Sequence, residues 1–406
     1  MYFLKLAWRN IFRNKRRTII AAIAISIGLA SLIYYDALMK GMIKEMISST
    51  TNTLTGHAQI HGKNFRDSFD SKILVKNKNQ VMEKLSKDPI VKDFTQRVIS
   101  VGMITSSVEA RSVFVYGINP DKEKLLSQVD DVIIDGDYLK NKFDKGILIG
   151  KRLADVLELE LGSRVVLTVN SKDNELSQQM FKIVGIFDFN NKTIDDGMVF
   201  VSINELQKMI GIGNNINEIA ILFKNIKSSM DKKLRFWSDY SKDGNEAISW
   251  VDIFTQLKSM LGMTDFSLMV VAFILMAIVS FGILNSMFMS IYERMFEFGV
   301  LKAIGTDKSS IRKLILFEAG SLAFISIIIG VVLGFIFTYI YTHVGIDYTG
   351  IEFGGTTLKN IIYPEITLSQ YIIYPLFVFI FTVIISLYPA RYINKKNIAE
   401  ILRKSL

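Results

Sequence analysis

Four long apolar runs, at residues 18–41, 263–291, 314–341 and 369–389, constrain this chain more than any other feature of its sequence. Each reaches the roughly 20 residues that an α-helix needs to cross a hydrocarbon core about 30 Å thick. One such run could be a buried helix of a soluble protein. Four, each nearly free of charge, imply a multi-pass α-helical membrane protein with four transmembrane helices. The mean hydropathy of +0.30 and the 50% hydrophobic content fit that reading, because the excess sits in these blocks rather than being spread evenly. Residues 42–262, between the first and second runs, are long enough to bury a core of their own and are expected to form a separate α+β domain.

The flanks set an expected orientation. Lys5, Arg9, Arg13, Lys15, Arg16 and Arg17 fill the basic segment 1–17. A secretory signal peptide opens the same way, but the run that follows is longer than a signal core and no small-residue cleavage site succeeds it, so an uncleaved anchor is expected. Arg294, Lys302, Lys308, Arg312 and Lys313 lie in the loop 292–313, and Arg391, Lys395, Lys396, Arg403 and Lys404 in the tail 390–406. Basic segments stay in the cytoplasm, which places both termini and that loop inside, and the domain 42–262 with the short segment 342–368 outside. The net charge of +9 is thereby accounted for by membrane orientation, with no nucleic-acid partner required. The absence of cysteine excludes disulfides, thiolate metal sites and a cysteine nucleophile.

Within the external domain, β-branched runs at 98–103, 112–117, 147–150, 164–169, 181–187 and 198–201 read as strands, and 80–86, 151–157, 203–209 and 227–238 as helices. The segment 342–368, with Gly350, Gly354 and Gly355, reads as a loop. The stretch 170–180, holding Asn170, Ser171, Asn174, Glu175, Leu176 and Met180, fits the protruding tip of a hairpin, against the plainer reading of a solvated loop.

Two motifs suggest chemistry and fall short of it. His57 and His61 have the spacing of a zinc-binding helix, but Ala58 stands where a protease glutamate belongs, and the segment alternates as a strand carrying two surface histidines. GILIGK at 146–151 has three residues between its glycines and Arg152 after its lysine, so it is no phosphate-binding loop. No metal, nucleotide or other cofactor is expected on this chain.

The spans carry almost no charge. Glu318 lies one turn inside the third and could reach the interface, and Asn285 lies in the second, which leaves little for ion coupling. Ala22, Ser26 and Ala30 recur every four residues in the first span, as do Gly330 and Gly334 in the third; such spacing marks close helix contact, within the chain or with a second subunit. In the loop, ERMFEFGVLKAIG at 293–305 reads as one short helix stopped by Gly305, with Phe296, Val300 and Ile304 on one face and Glu293 and Glu297 along a polar edge. Phe298 and Leu301 fall off that stripe. Thr306 or Asp307 can cap the next helix. Apolar residues so far round the helix suit a protein groove better than a lipid surface.

That loop, continued by TDKSSIRKLILFEA at 306–319, resembles the FtsX-like ABC transporter permeases. The opening AWRNIFRNKRR at 7–17 and the closing YPARYINKKNIAEIL at 388–402 resemble the same family. GILIG at 146–150, LELG at 159–162 and FKIVGIF at 181–187 resemble its MacB-like periplasmic domain, the LolC/LolE lipoprotein-releasing subunits match best in size and layout, and TGHAQIHGKNF at 55–65 resembles a LolE-type stretch. The macrolide-efflux members carry a fused ATPase domain that is not found in this sequence.

The resemblance implies a non-catalytic permease subunit in the bacterial inner membrane that works with a LolD-like ATPase dimer, where ATP and Mg would bind, and with a second LolC/LolE-like protomer. Lipoproteins would be extracted from the outer leaflet and passed to the periplasmic chaperone LolA. Glu293, Arg294, Phe296, Glu297, Phe298, Val300, Leu301, Lys302, Ile304 and Gly305 would form the ATPase-coupling helix. Ile33, Tyr34, Leu38, Met42, Met263, Phe266, Met269 and Val270 would line a lipid cavity between the first and second spans. The hairpin at 170–180 would recruit the chaperone, although it lacks the proline of the LolC version. A MacB-like peptide or drug exporter and a non-transporting regulator of a periplasmic partner are the alternatives.

Overall fold

The computed structural model describes residues 2–13, 15–140, 145–348, 352–353, 356–357 and 361–395. Gly350, Gly354, Gly355, Lys396, Arg403 and Lys404 lie outside the described residues. The chain divides into two compact units, one of residues 1–44, 261–347 and 361–406, the other of 45–260 and 348–360.

Six helices carry the first unit: α1 (Tyr2–Arg13), α2 (Lys15–Thr50), α3 (Thr255–Glu293), α4 (Met295–Ala303), α5 (Lys308–Val344) and α6 (Gln370–Lys395). Four of them, α2, α3, α5 and α6, hold the segments long and apolar enough to cross a membrane. They extend past their apolar runs, since helical hydrogen bonding continues where polar residues begin; α3 starts at Thr255 rather than near 263. The buried seam joins Ile25, Leu29 and Ile33 of α2 to Val279 and Ile283 of α3 and to Ala319 and Leu322 of α5.

The two small-residue stripes meet each other. A Cβ on Gly330 would lie 2.9 Å from the Ser26 carbonyl oxygen, and one on Gly334 3.3 Å from the Ala30 Cα. Ser26 Oγ donates to the Ser326 carbonyl at 2.8 Å, a bond that close backbone approach permits. Ala22, Ser26 and Ala30 are all buried there. Of the two readings left open by the sequence, contact within the chain is the one realised. Beyond α5, Ile346–Asp347 pairs antiparallel with Ile361–Ile362, so the segment read as loop contains short pairing.

The second unit is an α+β domain. Its strands are β1 (Ala58–Gly62), β2 (Val91–Thr105), β3 (Ala110–Ile118), β4 (Ile133–Gly136), β5 (Gly146–Gly150), β6 (Arg164–Asn170), β7 (Leu176–Phe187), β8 (Met198–Ser202), β9 (Glu218–Phe223) and β10 (Asn245–Ser249). They pair in the order β10-β1-β9-β2-β3-β8-β5-β7-β4, and β6 pairs with both β2 and β7. The ladder therefore returns on itself through β2, β3, β8, β5, β7 and β6, which leaves these six strands no free edge. Alternate residues such as Val98, Val115, Ile149, Val165 and Phe181 fill its core. The expected helix at 227–238 is broken into a 3-10 turn, Ile226–Ser229, and a helix, Arg235–Tyr240.

His57 and His61 are not surface residues. His61 lies on β1, which runs between β10 and β9, and His57 immediately precedes that strand with its N–H bonded to the Ile221 carbonyl of β9 at 2.8 Å. His57 Nδ1 accepts the Phe223 N–H at 3.0 Å, while both His61 ring nitrogens are buried without a hydrogen-bond partner. Arg97, fully buried on β2, bonds Glu123 and Glu218 and ties β2 to β9.

Two predictions follow from this packing. A methyl at Gly330 meets backbone that cannot yield, so Gly330→Ala lowers unfolding stability by about 1–3 kcal/mol. Gly320→Ala is neutral or slightly stabilising, because its nearest neighbour stands 3.9 Å away; thermal unfolding in detergent checks the pair. In the domain, burial lowers both histidines to about 4, aided at His61 by the Arg66 charge. The unfolded chain takes up protons from about pH 6.5 downward and the folded one does not, so stability is full above that pH and declines towards pH 4. The loss is on the order of 3 kcal/mol per ring, and His61→Leu roughly halves the slope of urea stability against pH.

Candidate functional site

Between the second and third spans the chain breaks helix at a single residue. Arg294 has φ −109° and ψ 19°, outside helical values, so α3 ends at Glu293 and α4 starts at Met295. The single helix expected over 293–305 is thus two, and Glu293 belongs to the end of a span. Gly305, at φ +89°, ends the loop helix with the bonds Thr306 N–H to Leu301 O at 2.9 Å and Gly305 N–H to Lys302 O at 3.1 Å. This paired closure needs a left-handed residue, which glycine adopts without a Cβ clash. Asp307 Oδ2 then accepts the Ser309 N–H at 3.1 Å and starts α5.

The faces of α4 are divided sharply. Phe296, Val300 and Ile304 are 54%, 41% and 73% exposed and form an apolar stripe that the described residues leave open. On the opposite face Phe298 is fully buried among Ile311, Leu314 and Ile315 of α5 and Ala390 and Ile393 of α6, with Met295 and Leu301 beside it. The off-stripe residues are therefore anchors. They hold the stripe outward rather than widening it.

Charge fixes the same helix from three directions. Arg294 Nε donates to Glu297 Oε2 at 2.9 Å, and its Nη1 to Glu318 Oε2 at 3.0 Å. Arg13, ending α1, donates to the second Glu297 oxygen at 2.6 Å. Lys302 Nζ donates to the Ile393 carbonyl of α6 at 2.8 Å. Burial raises the affinity of the Glu297 carboxyl for its proton, but the bonds from Arg294 and Arg13 outweigh it and hold the group below the usual carboxylate range. Glu318 does not reach an interface: it is 3% exposed and accepts from both Arg294 and Ser290 Oγ. Arg13, Ser290 and Glu318 were not legible as part of this site, because their partners lie far off in sequence.

The remaining candidates fare differently. Ile33 is fully buried against Gly334 of α5, because the glycine lets the helices close over it. Tyr34 packs against Tyr341 at 5.5 Å, and Leu38 and Met42 are half-buried. Met263, Phe266, Met269 and Val270 are exposed on α3. Met269 alone of these enters a groove, of about 500 Å³, which Phe273 and Phe281 share with Phe377 and Phe381 of α6. The groove joins the second span to the fourth rather than to the first.

At the hairpin, β7 begins at Leu176, and Val166 pairs with Met180 and Asn170 with Leu176. Leu176 and Met180 thus belong to a strand, and the tip shrinks to residues 171–175, where Lys72 Nζ donates to Asn174 Oδ1 at 2.7 Å. Leu176, Met180, Val101 and Met103 are exposed on the paired strands β7, β6 and β2. Among the described residues no cluster of three or more potential metal ligands occurs.

Residues 18–231 match the family described as MacB-like periplasmic core domain, and residues 269–398 match the FtsX-like permease C-terminal family. An uncharacterized ABC transporter permease of Methanocaldococcus jannaschii is 26% identical over 160 residues, 38% of this chain and 40% of that protein. The lipoprotein-releasing system transmembrane protein LolC of Neisseria meningitidis is 18% identical over 77% of this chain and 75% of its own. The macrolide export ATP-binding/permease protein MacB of Campylobacter jejuni is 24% identical over 80% of this chain and 52% of its own. The chain thus spans about half or less of the first and third relatives and three quarters of the second.

The two faces of α4 give opposite responses to truncation. Phe298→Ala empties a packed site and costs about 3–5 kcal/mol, whereas Ile304→Ala changes stability by less than about 0.5 kcal/mol. Equilibrium unfolding in mixed micelles distinguishes them.

Proposed function

The chain belongs to the ABC transporter permeases of the MacB and FtsX type, and we propose that it lifts lipoproteins from the outer leaflet of the bacterial inner membrane for transfer to a periplasmic chaperone. In this reading both termini and the loop helix α4 face the cytoplasm. The exposed stripe Phe296, Val300 and Ile304 seats in a separate LolD-like ATPase, which forms a dimer and holds the ATP and Mg. Nucleotide state biases two arrangements of the spans, a population shift paid for by the partner's chemistry. A second LolC/LolE-like protomer completes the membrane part.

The observation that carries the substrate assignment is the layout shared with LolC, which extends over three quarters or more of both chains. The apolar groove between α3 and α6 supports it, because aromatic and methionine walls suit flexible acyl chains. The exposed apolar residues Val101, Met103, Leu176 and Met180 offer the chaperone LolA a docking surface larger than the tip of the hairpin. A second reading, export of a peptide or drug, draws on the MacB match, which covers a similar share of this chain at higher identity.

Reconstitution with the ATPase and a radiolabelled triacylated lipoprotein tests the choice. ATP-dependent release of label to added LolA is expected; no release, with hydrolysis stimulated by a macrolide or peptide instead, overturns the lipoprotein reading. For the docking stripe, Ile304→Asp abolishes co-purification of the ATPase while leaving membrane insertion intact. Retained co-purification contradicts the seat assigned to α4.

A further inference from the structure

We propose that Glu318 is a positioning residue for the loop helix: its buried carboxylate locks Arg294 at the α3–α4 break, so that α3, α4 and α5 move as one body. A one-residue break between two helices is where a pull on α4 would bend the chain. Two backbone bonds carry the chain through it in helical register, the Arg294 N–H to Ser290 O at 3.3 Å and the Phe298 N–H to the Arg294 carbonyl at 3.1 Å, although the dihedrals of Arg294 leave the helical range.

The side chain of Arg294 ties the break to the helices on either side. Its guanidinium bonds Glu297 one turn into α4, bonds Glu318 on α5, and stands 5.1 Å from the centre of the Phe298 ring. Glu318 receives Arg294 on one oxygen and Ser290 of α3 on the other. Ser290 of α3 and the break residue Arg294, itself bonded to α4 through Glu297, therefore converge on a single α5 carboxylate that is 3% exposed.

Burial gives the arrangement its mechanical consequence. A bend at Arg294 pulls the guanidinium away from a carboxylate in a low-dielectric interior, which is strongly unfavourable. A motion that carries α3, α4 and α5 together keeps every partner in place. Hinging is thus opposed and rigid displacement is not. Arg13, which is exposed, holds Glu297 from the α1 side by a bond that water can replace, so it does not share this role.

The significance for transport rests on the ATPase-docking reading, but the rigidity can be measured on the chain alone. The sequence has no cysteine, so Ile304→Cys at the end of the loop helix and Ile278→Cys on α3, both largely exposed, accept spin labels at two sites only. In lipid nanodiscs the unaltered background gives one narrow distance distribution. Glu318→Gln is expected to double its width or add a second population, and Glu318→Asp to restore part of the narrowing.

The pair Arg294→Met/Glu318→Leu separates positioning from stability, because well-packed apolar replacements of a buried ion pair restore folding. It is expected to recover the thermal midpoint and still give the broad distribution. A distribution that stays narrow in Glu318→Gln, or that becomes narrow again in the apolar pair, overturns the proposal. If Glu318→Gln does not fold, the apolar pair decides alone. Loss of ATPase binding by the unaltered chain would overturn the docking reading and leave the distance result standing.

Discussion

The burial of Phe298 is the contact on which the functional end of this protein depends. An aromatic ring seated among Ile311, Leu314, Ile315, Ala390 and Ile393 fixes one face of a nine-residue helix, Met295–Ala303, that is too short to be stable by its own hydrogen bonds. With that face held, the other has no freedom to turn inward. Phe296, Val300 and Ile304 remain exposed because Phe298 is not. The charges around Arg294 refine the pose that packing sets. Charge alone would not do so, since the outer pair Arg13–Glu297 is solvated and weak.

The same logic of close packing orders the spans. Lipid offers no hydrophobic drive for helices to associate, so contact depends on shape and on hydrogen bonds. Gly330 and Gly334 let α5 approach α2 closely enough for Ser26 to reach the Ser326 carbonyl. One consequence is the burial of Ile33 against that contact.

The sequence was most legible where a single solvent dictates the pattern. Hydrocarbon requires long uncharged runs, which is why the four spans could be read directly, and an exposed apolar stripe on the loop helix shows in the four-residue recurrence of Phe296, Val300 and Ile304. Legibility failed where a residue's setting comes from distant chain. Glu318 read as a charge near an interface, because nothing near it in sequence announces Arg294 and Ser290. His57 and His61 read as surface residues, since the strands β9 and β10 that cover them are short and carry no strong alternation. At the hairpin, the polar residues between Leu176 and Met180 concealed a strand whose outer face is exposed, and exposure favours residues that resemble those of a loop.

Taken together, these contacts describe a helix held outward by its own chain before any partner arrives. Hydrogen exchange of the purified permease in nanodiscs, without an ATPase, tests this most directly. The account expects the amides of the helix Met295–Ala303 to be protected to the same degree as the adjoining ends of α3 and α5. Exchange as fast as that of an unstructured loop, with protection gained only when an ATPase is added, would contradict it.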